Sequence, residues 1–116
     1  MENDDQELLN SIKTLLNIKD DIQDELLSIL IEDSKNRLIG YIGQDSLQTI
    51  EYPTDLDWIT RELTIRRFNR IGDEGKTSSS ENDMSASWIE NDILDYSVYL
   101  DKFRKKNSGK GIARFY

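Results

Sequence analysis

The sequence predicts an all-α protein, a small four-helix bundle with a long loop before its last helix and an extended C-terminal arm. Apolar side chains recur every three or four residues in four stretches, which is the spacing of one face of an α-helix. The third stretch carries two apolar faces, so it must be covered from two sides and is expected at the centre. The 116 residues can bury one core without disulfides but not two independent cores. We therefore expect one helical domain, residues 1–106, followed by an arm, residues 107–116.

The first helix is predicted over residues 4–16. Its leucine and isoleucine side chains form a single apolar stripe, and the charged Glu7 and Lys13 lie away from that stripe. Asn17 is the residue expected to turn the chain out of this helix.

The second helix is predicted over residues 20–43, with Asp20 as its N-cap, Gln23 at the N3 position and Gly43 at its end. Its apolar residues are spread broadly enough around the helix to contact more than one neighbour. Gly40 lies in the last turn, where a glycine costs up to about 1 kcal/mol relative to alanine unless close packing requires it.

The third helix, over residues 54–72, is the predicted centre of the bundle. Thr54 is the expected N-cap, Asp57 occupies N3, and Gly72 is expected to end the helix. Its two apolar faces are formed by Leu56, Ile59, Leu63 and Ile71, and by Trp58, Ile65 and Phe68.

Residues 73–87 are polar and serine-rich. They carry too few apolar side chains to offset the entropy of ordering them, so an exposed, mobile loop is expected. A fourth helix is predicted over residues 90–106, because acids occupy its first turn and bases its last turn, as the helix dipole favours.

The charge is unevenly distributed along the chain. The net charge is −8, but residues 1–101 alone sum to −14 and residues 102–116 sum to +6. An acidic body argues against wrapping nucleic acid, because the phosphate backbone would be repelled. A basic tail can dock on an acidic protein surface or touch nucleic acid, and charge alone does not choose between them.

The residue types exclude several kinds of site. The chain has neither cysteine nor histidine, which removes disulfides, thiolate metal sites and the usual general base near neutral pH. The acidic stretch that starts at Asp73 lacks the spacing of an EF-hand calcium loop. Paired acids such as Asp20 and Asp21 fall in predicted first turns, where capping explains them. No catalytic residue, metal site or cofactor is therefore predicted, and an enzyme is the weakest interpretation.

Neither a membrane span nor a signal peptide is predicted. No apolar run approaches the roughly 20 residues that a membrane span needs. The acidic N-terminus also differs from the basic start of a signal peptide. We expect a soluble protein that is intracellular where it is made.

Four arginines lie on the third helix, at positions 61, 66, 67 and 70. Glu62 stands one turn before Arg66 and can pair with it. The arginines can lie over their own helix and pair with acids of neighbouring helices. They can equally cross to an acidic face of a second subunit, where a guanidinium can donate two hydrogen bonds to a carboxylate. The sequence leaves both interpretations open.

The arm ends in apolar and aromatic residues flanked by bases, a composition typical of segments that bind by adding a strand or filling a pocket. Docking is favoured over a frayed tail. The residues concerned are Lys110, Ile112, Arg114, Phe115 and Tyr116.

Three stretches carry a resemblance to a known family. They are DDIQDELLSILIEDSKNRLIGYIG at 20–43, LDWITRELTIRRFNRIGDEG at 56–75 and ENDILDYSVYLDKFRKK at 90–106. In this order, with the serine-rich acidic loop before the last of them, the chain resembles the head-tail connector, or head completion adaptor, proteins of long-tailed bacteriophages. The likeness covers most of the chain, includes no catalytic motif, and does not extend to the GKGIARFY ending.

The resemblance implies a non-enzymatic structural protein of the virion neck, made in the host bacterial cytoplasm. It implies a ring of about a dozen copies that sits beneath the portal of the DNA-filled head and presents a surface to the next neck or tail component. DNA would be passing cargo only, and an acidic wall would let it pass without sticking.

The resemblance also implies roles for particular residues. Arg66, Arg67 and Arg70 become candidates for subunit contacts, and the arm residues named above become candidates for portal docking. The candidates for facing the lumen or the next ring are Asp73, Glu74, Lys76, Glu81 and Asp83.

One rival interpretation belongs to a different class. An acidic binding or inhibitor protein, acting as a DNA mimic on the basic site of a partner, would be a stable monomer whose acids form the working face.

Overall fold

A computed structural model describes residues 2–74 and 91–104 of the chain. Within those ranges the secondary structure is helical and contains no strand, which confirms the predicted all-α class. The helices are α1 (Glu2–Leu16), α2 (Asp24–Ile42), α3 (Asp57–Glu74), α4 (residues 91–94) and α5 (Ser97–Leu100), with 3₁₀ turns at Thr54–Leu56 and Asp101–Phe103.

The turn after α1 forms where the sequence predicts it. Asn17 has a φ of 61°, in the left-handed region that asparagine tolerates better than most residues. The backbone N–H of Ile18 then donates to the carbonyl of Lys13 at 2.8 Å and closes the end of the helix.

The predicted start of the second helix at Asp20 is wrong by four residues. Asp20 Oδ1 accepts a hydrogen bond from the backbone N–H of Ile22 at 3.1 Å, which stabilises a turn in place of a helical start. The helix begins at Asp24, with Gln23 as its N-cap. Its end is as predicted, because Gly43 follows Ile42 and donates its N–H to the carbonyl of Ile39 at 2.9 Å.

The third helix also differs from its predicted bounds. Thr54 opens a 3₁₀ turn with Pro53 as its N-cap, and the α-helix proper starts at Asp57. The prediction that Gly72 ends the helix is wrong, since α3 continues to Glu74. A glycine inside a helix costs only about 1 kcal/mol relative to alanine, so it does not by itself stop one.

The predicted continuous helix over residues 90–106 is wrong within the described residues. Hydrogen bonding tightens at its centre, where the N–H of Tyr96 donates to the carbonyl of Ile93 at 2.9 Å, three residues back. The chain therefore runs as two short helices, and Arg104 at its end is extended. We call residues 91–104 the C-terminal segment.

The interior consists of two hydrophobic clusters, and α2 and α3 contribute to both. Between them, Thr64 Oγ1 donates to Ser34 Oγ at 3.4 Å, and both side chains are buried. The first cluster contains Leu38, Ile42, Leu56, Ile59, Leu63, Ile93 and Leu100. The second contains Leu8, Leu9, Ile12, Leu27 and Ile31, with Ile65 and Phe68 packed against it.

Candidate functional site

The C-terminal segment is attached to α3 by a cluster of ion pairs centred on Asp92. Arg70 Nη2 donates to Asp92 Oδ1 at 2.7 Å, and its Nη1 lies 2.6 Å from Oδ2. Arg66 Nη1 donates to the same Oδ1 at 3.0 Å and to Asp95 Oδ2 at 2.9 Å. Arg66 and Arg70 reach the same carboxylate because residues four apart lie on one face of a helix.

The Asp92 carboxylate is charged although only 7% of its side chain is exposed. Burial alone would raise the pKa of Asp92, but hydrogen bonds from Arg70 and Arg66 outweigh burial and hold that pKa below its ordinary value. A signal for this burial is visible in the residue spacing, since Asp92 shares helical spacing with Tyr96, Tyr99 and Phe103. From the sequence, Asp92 was assigned only to the first turn of a helix, and its burial in an ion-pair cluster was not predicted.

Arg67 points to the other side of α3 and pairs with α2. Its Nη1 donates to Asp33 Oδ2, which also accepts from Arg37 Nε at 3.0 Å. Two guanidinium groups thus share one carboxylate, so this part of the surface carries a net positive charge.

The three predicted subunit-contact residues, Arg66, Arg67 and Arg70, therefore all hold ion pairs within the chain. This is the first of the two arrangements that the sequence allowed. Each side chain keeps about a quarter to a third of its area exposed, at 36%, 24% and 26% respectively.

Aromatic side chains reinforce the attachment of the C-terminal segment. The Trp58 ring meets the rings of Tyr96 and Tyr99 edge to face, with centroids 5.6 and 5.3 Å apart. Tyr96 also donates its hydroxyl to Glu62, and the Arg66 guanidinium lies 5.3 Å from the Tyr96 ring. Burial, with the hydrogen bond to Glu62, raises the pKa of Tyr96 to about 12.

Arg104 is fixed at the point where the described chain ends. Its Nε donates to Asp45 Oδ2 at 3.0 Å, and its Nη1 lies 3.5 Å from Asp101 Oδ1. The Tyr41 hydroxyl donates to the same Asp101 oxygen at 2.7 Å, and Arg104 stacks 5.6 Å from the Tyr41 ring. The hydrogen bond to Asp45 is the main cause that raises the pKa of Arg104. The origin of the basic arm is therefore anchored to α2 and the linker that follows it.

The other predicted site residues are not placed. The portal-docking candidates Lys110, Ile112, Arg114, Phe115 and Tyr116 lie outside the described residues, as do the loop candidates Lys76, Glu81 and Asp83. Asp73 and Glu74 fall in the last turn of α3, where only the backbone is described.

Exposed apolar side chains form a further feature that sequence reasoning did not single out. Ile22 and Ile29 are 81% and 56% exposed, and Leu94 and Val98 also face outward from the C-terminal segment. Beside Leu94 a cavity of about 580 Å³ opens against the backbone of Gly40. For the second helix, the sequence signal for exposed apolar side chains was the broad distribution of its apolar residues around the helix.

The described residues contain no group of three or more carboxylates that could hold a metal ion together. No helix within those same residues combines the length and apolar character that a bilayer span requires.

Comparison with known proteins gives one match. The family model described as phage gp6-like head-tail connector protein matches residues 6–104, which is most of the chain. No curated protein and no solved structure matches the chain.

Proposed function

Since the chain belongs to the phage gp6-like head-tail connector family, we propose that it forms a ring that joins the portal of the DNA-filled head to the next neck or tail component. Family membership makes it a structural protein of the virion that interacts with other phage head and tail proteins. The ring, its copy number of about a dozen and its contact with the portal are the parts that we propose. The observation that carries the proposal is the family match over residues 6–104.

In this ring the arm would bind the portal. The ion pairs of Arg104 support this, because they give residues 105–116 a fixed origin on the folded domain. The apolar residues Ile112, Phe115 and Tyr116 would fill pockets, while Lys110 and Arg114 would be steered by acidic groups of the partner.

The loop residues Asp73, Glu74, Lys76, Glu81 and Asp83 would face the lumen or the next ring. We further propose that the C-terminal segment, with its break at Tyr96, packs as the fourth element of a four-helix bundle. Through their exposed portions, Arg66, Arg67 and Arg70 would add contacts between subunits without giving up their ion pairs. The role requires no catalysis and no cofactor.

The experiment measures the mass of assemblies by native mass spectrometry. The full chain and a chain truncated after Lys106 are each measured alone and with the portal ring of the same phage. We expect the full chain to form a ring or to join the portal, and the truncated chain to lose portal binding. A full chain that stays monomeric and ignores the portal would refute the proposal and favour the acidic-mimic alternative.

A further inference from the structure

The second helix has a face that the described residues leave largely exposed, with Arg67 of α3 reaching it only at Asp33. Leu26, Ile29, Asp33, Arg37 and Gly40 are spaced by three, four, four and three residues, so they line one side of α2. We call this set the outer face of α2. The buried residues of α2, such as Leu27, Ile31 and Leu38, lie on a different side. The apolar side chain of Ile29 on the outer face is exposed to water.

Gly40 lies at the other end of this face. A Cβ atom added there would meet no heavy atom of the described residues within 4 Å, so packing among those residues does not require a glycine. The cost of a glycine in a helix, about 1 kcal/mol relative to alanine, thus has no compensation among residues 2–74 and 91–104. Close approach by another chain would supply that compensation, and the cavity of about 580 Å³ between Gly40 and Leu94 leaves room for it.

The charge at the centre of the face indicates what kind of surface fits it. Arg37 and Arg67 share Asp33, which leaves one excess positive charge on a protein of net charge −8. The acidic complement lies on the neighbouring side of α2, where Glu32 and Glu51 border a groove of about 560 Å³ whose walls include the apolar Ile39 and Tyr52. Lys35 also lines this groove but pairs with Asp5, so the two glutamates leave the groove acidic. Neither glutamate forms an ion pair with another described residue.

We propose that the outer face of α2 packs against a second copy of this chain, on the side bearing Glu32 and Glu51. The two surfaces differ, so the contact is head-to-tail, the type that forms a ring when the rotation between neighbouring copies closes. The inference rests on the proposed function and deepens it by assigning the surfaces that join neighbouring subunits. Gly40 is the position of closest approach, and Ile29 is the main apolar contact.

Two glycine substitutions test the proposal. The first, Gly40→Ala, should have opposite effects on stability and on association. Gly40→Ala should raise the midpoint of thermal unfolding, because alanine favours a helix and no described residue opposes its Cβ. The same substitution should weaken association between copies roughly tenfold or more, because the methyl group occupies the contact. Gly72→Ala is the matched control, since it also lies in a helix and its Cβ would meet no described atom within 4 Å. It should raise the midpoint and leave association unchanged.

A second pair of variants tests the apolar end of the face. Ile29→Lys should weaken association without lowering the midpoint, since Ile29 is already exposed. Leu47→Lys is its control, because Leu47 is exposed as well, at 85% against 56% for Ile29, but lies in the linker between α2 and α3.

Association between copies is measured by sedimentation velocity over a wide concentration range. Native mass spectrometry then counts the copies bound to the portal ring. If Gly40→Ala and Ile29→Lys assemble as their controls do, while the natural chain assembles, the proposed surface is refuted and the connector function stands. A natural chain that is monomeric alone and absent from the portal refutes both.

Discussion

Replacing Asp92 tests whether its ion pairs hold the C-terminal segment on α3. Asp92→Asn preserves the shape of the side chain and removes its charge, so Arg66 and Arg70 lose the carboxylate that they share, while Arg66 keeps its ion pair with Asp95. Removing one partner of a fully buried ion pair costs roughly 3–5 kcal/mol. Because 36% of the Arg66 side chain and 26% of the Arg70 side chain remain exposed, water solvates the two cations and the expected loss is about 2 kcal/mol.

The assay is urea-induced unfolding followed by circular dichroism, with Asp95→Asn as the control. The Asp95 carboxylate is 61% exposed and, among the described residues, pairs with Arg66 alone, so its substitution should cost less than about 1 kcal/mol. Equal losses in the two variants would contradict the central role given to Asp92.

The effect should also depend on pH. The pKa of Asp92 is lower in the folded protein than its ordinary value of 3.8. The stabilisation is therefore complete above that ordinary value and is lost as the pH falls through the folded-state pKa. The difference between the natural chain and Asp92→Asn should be largest near neutral pH and shrink in acid. A difference that stays constant down to the acid limit would refute this reasoning.

Three further predictions follow from the structure: two concern packing, and the third concerns the ionisation of Tyr96. Gly43→Ala should lower the free energy of unfolding by about 1–3 kcal/mol, because its Cβ would lie 2.8 Å from Ile50 Cγ1, and urea unfolding will measure it. Leu38→Ala should cost about 2–5 kcal/mol in the same assay, since Leu38 is fully buried. Ultraviolet titration should find Tyr96 ionising near pH 12, and this transition should be absent in Tyr96→Phe. Because this pKa is raised on folding, the stabilisation from Tyr96 is present below the ordinary tyrosine pKa and lost as the pH rises towards 12.

Sequence reasoning succeeded where a structure depends on neighbours along the chain. The turn at Asn17 and the helix end at Gly43 follow from local backbone preferences, and both occur. The central position of α3 follows from its two apolar faces, and it contributes to both clusters. The family resemblance, read from three extended stretches, is confirmed by the match over residues 6–104.

Prediction from the sequence failed where a side chain can take two structural roles, or where a partner distant in sequence determines its contacts. Asp20 satisfied the rules for an N-cap but forms a local turn instead. Gly72 can end a helix or continue one, and the spacing of residues does not decide between them. The partners of Arg67 and Arg104, which are Asp33 and Asp45, lie 34 and 59 positions away, and no periodic pattern records such a distance.

The polar contact between Ser34 and Thr64 has a consequence for how the folded chain opens. It lies between two packing units that share α2 and α3 but no side chain, so each can open with its own free energy. Hydrogen exchange should then show two tiers of amide protection, one for α1 and its neighbours and one for the C-terminal segment and the residues packed on it.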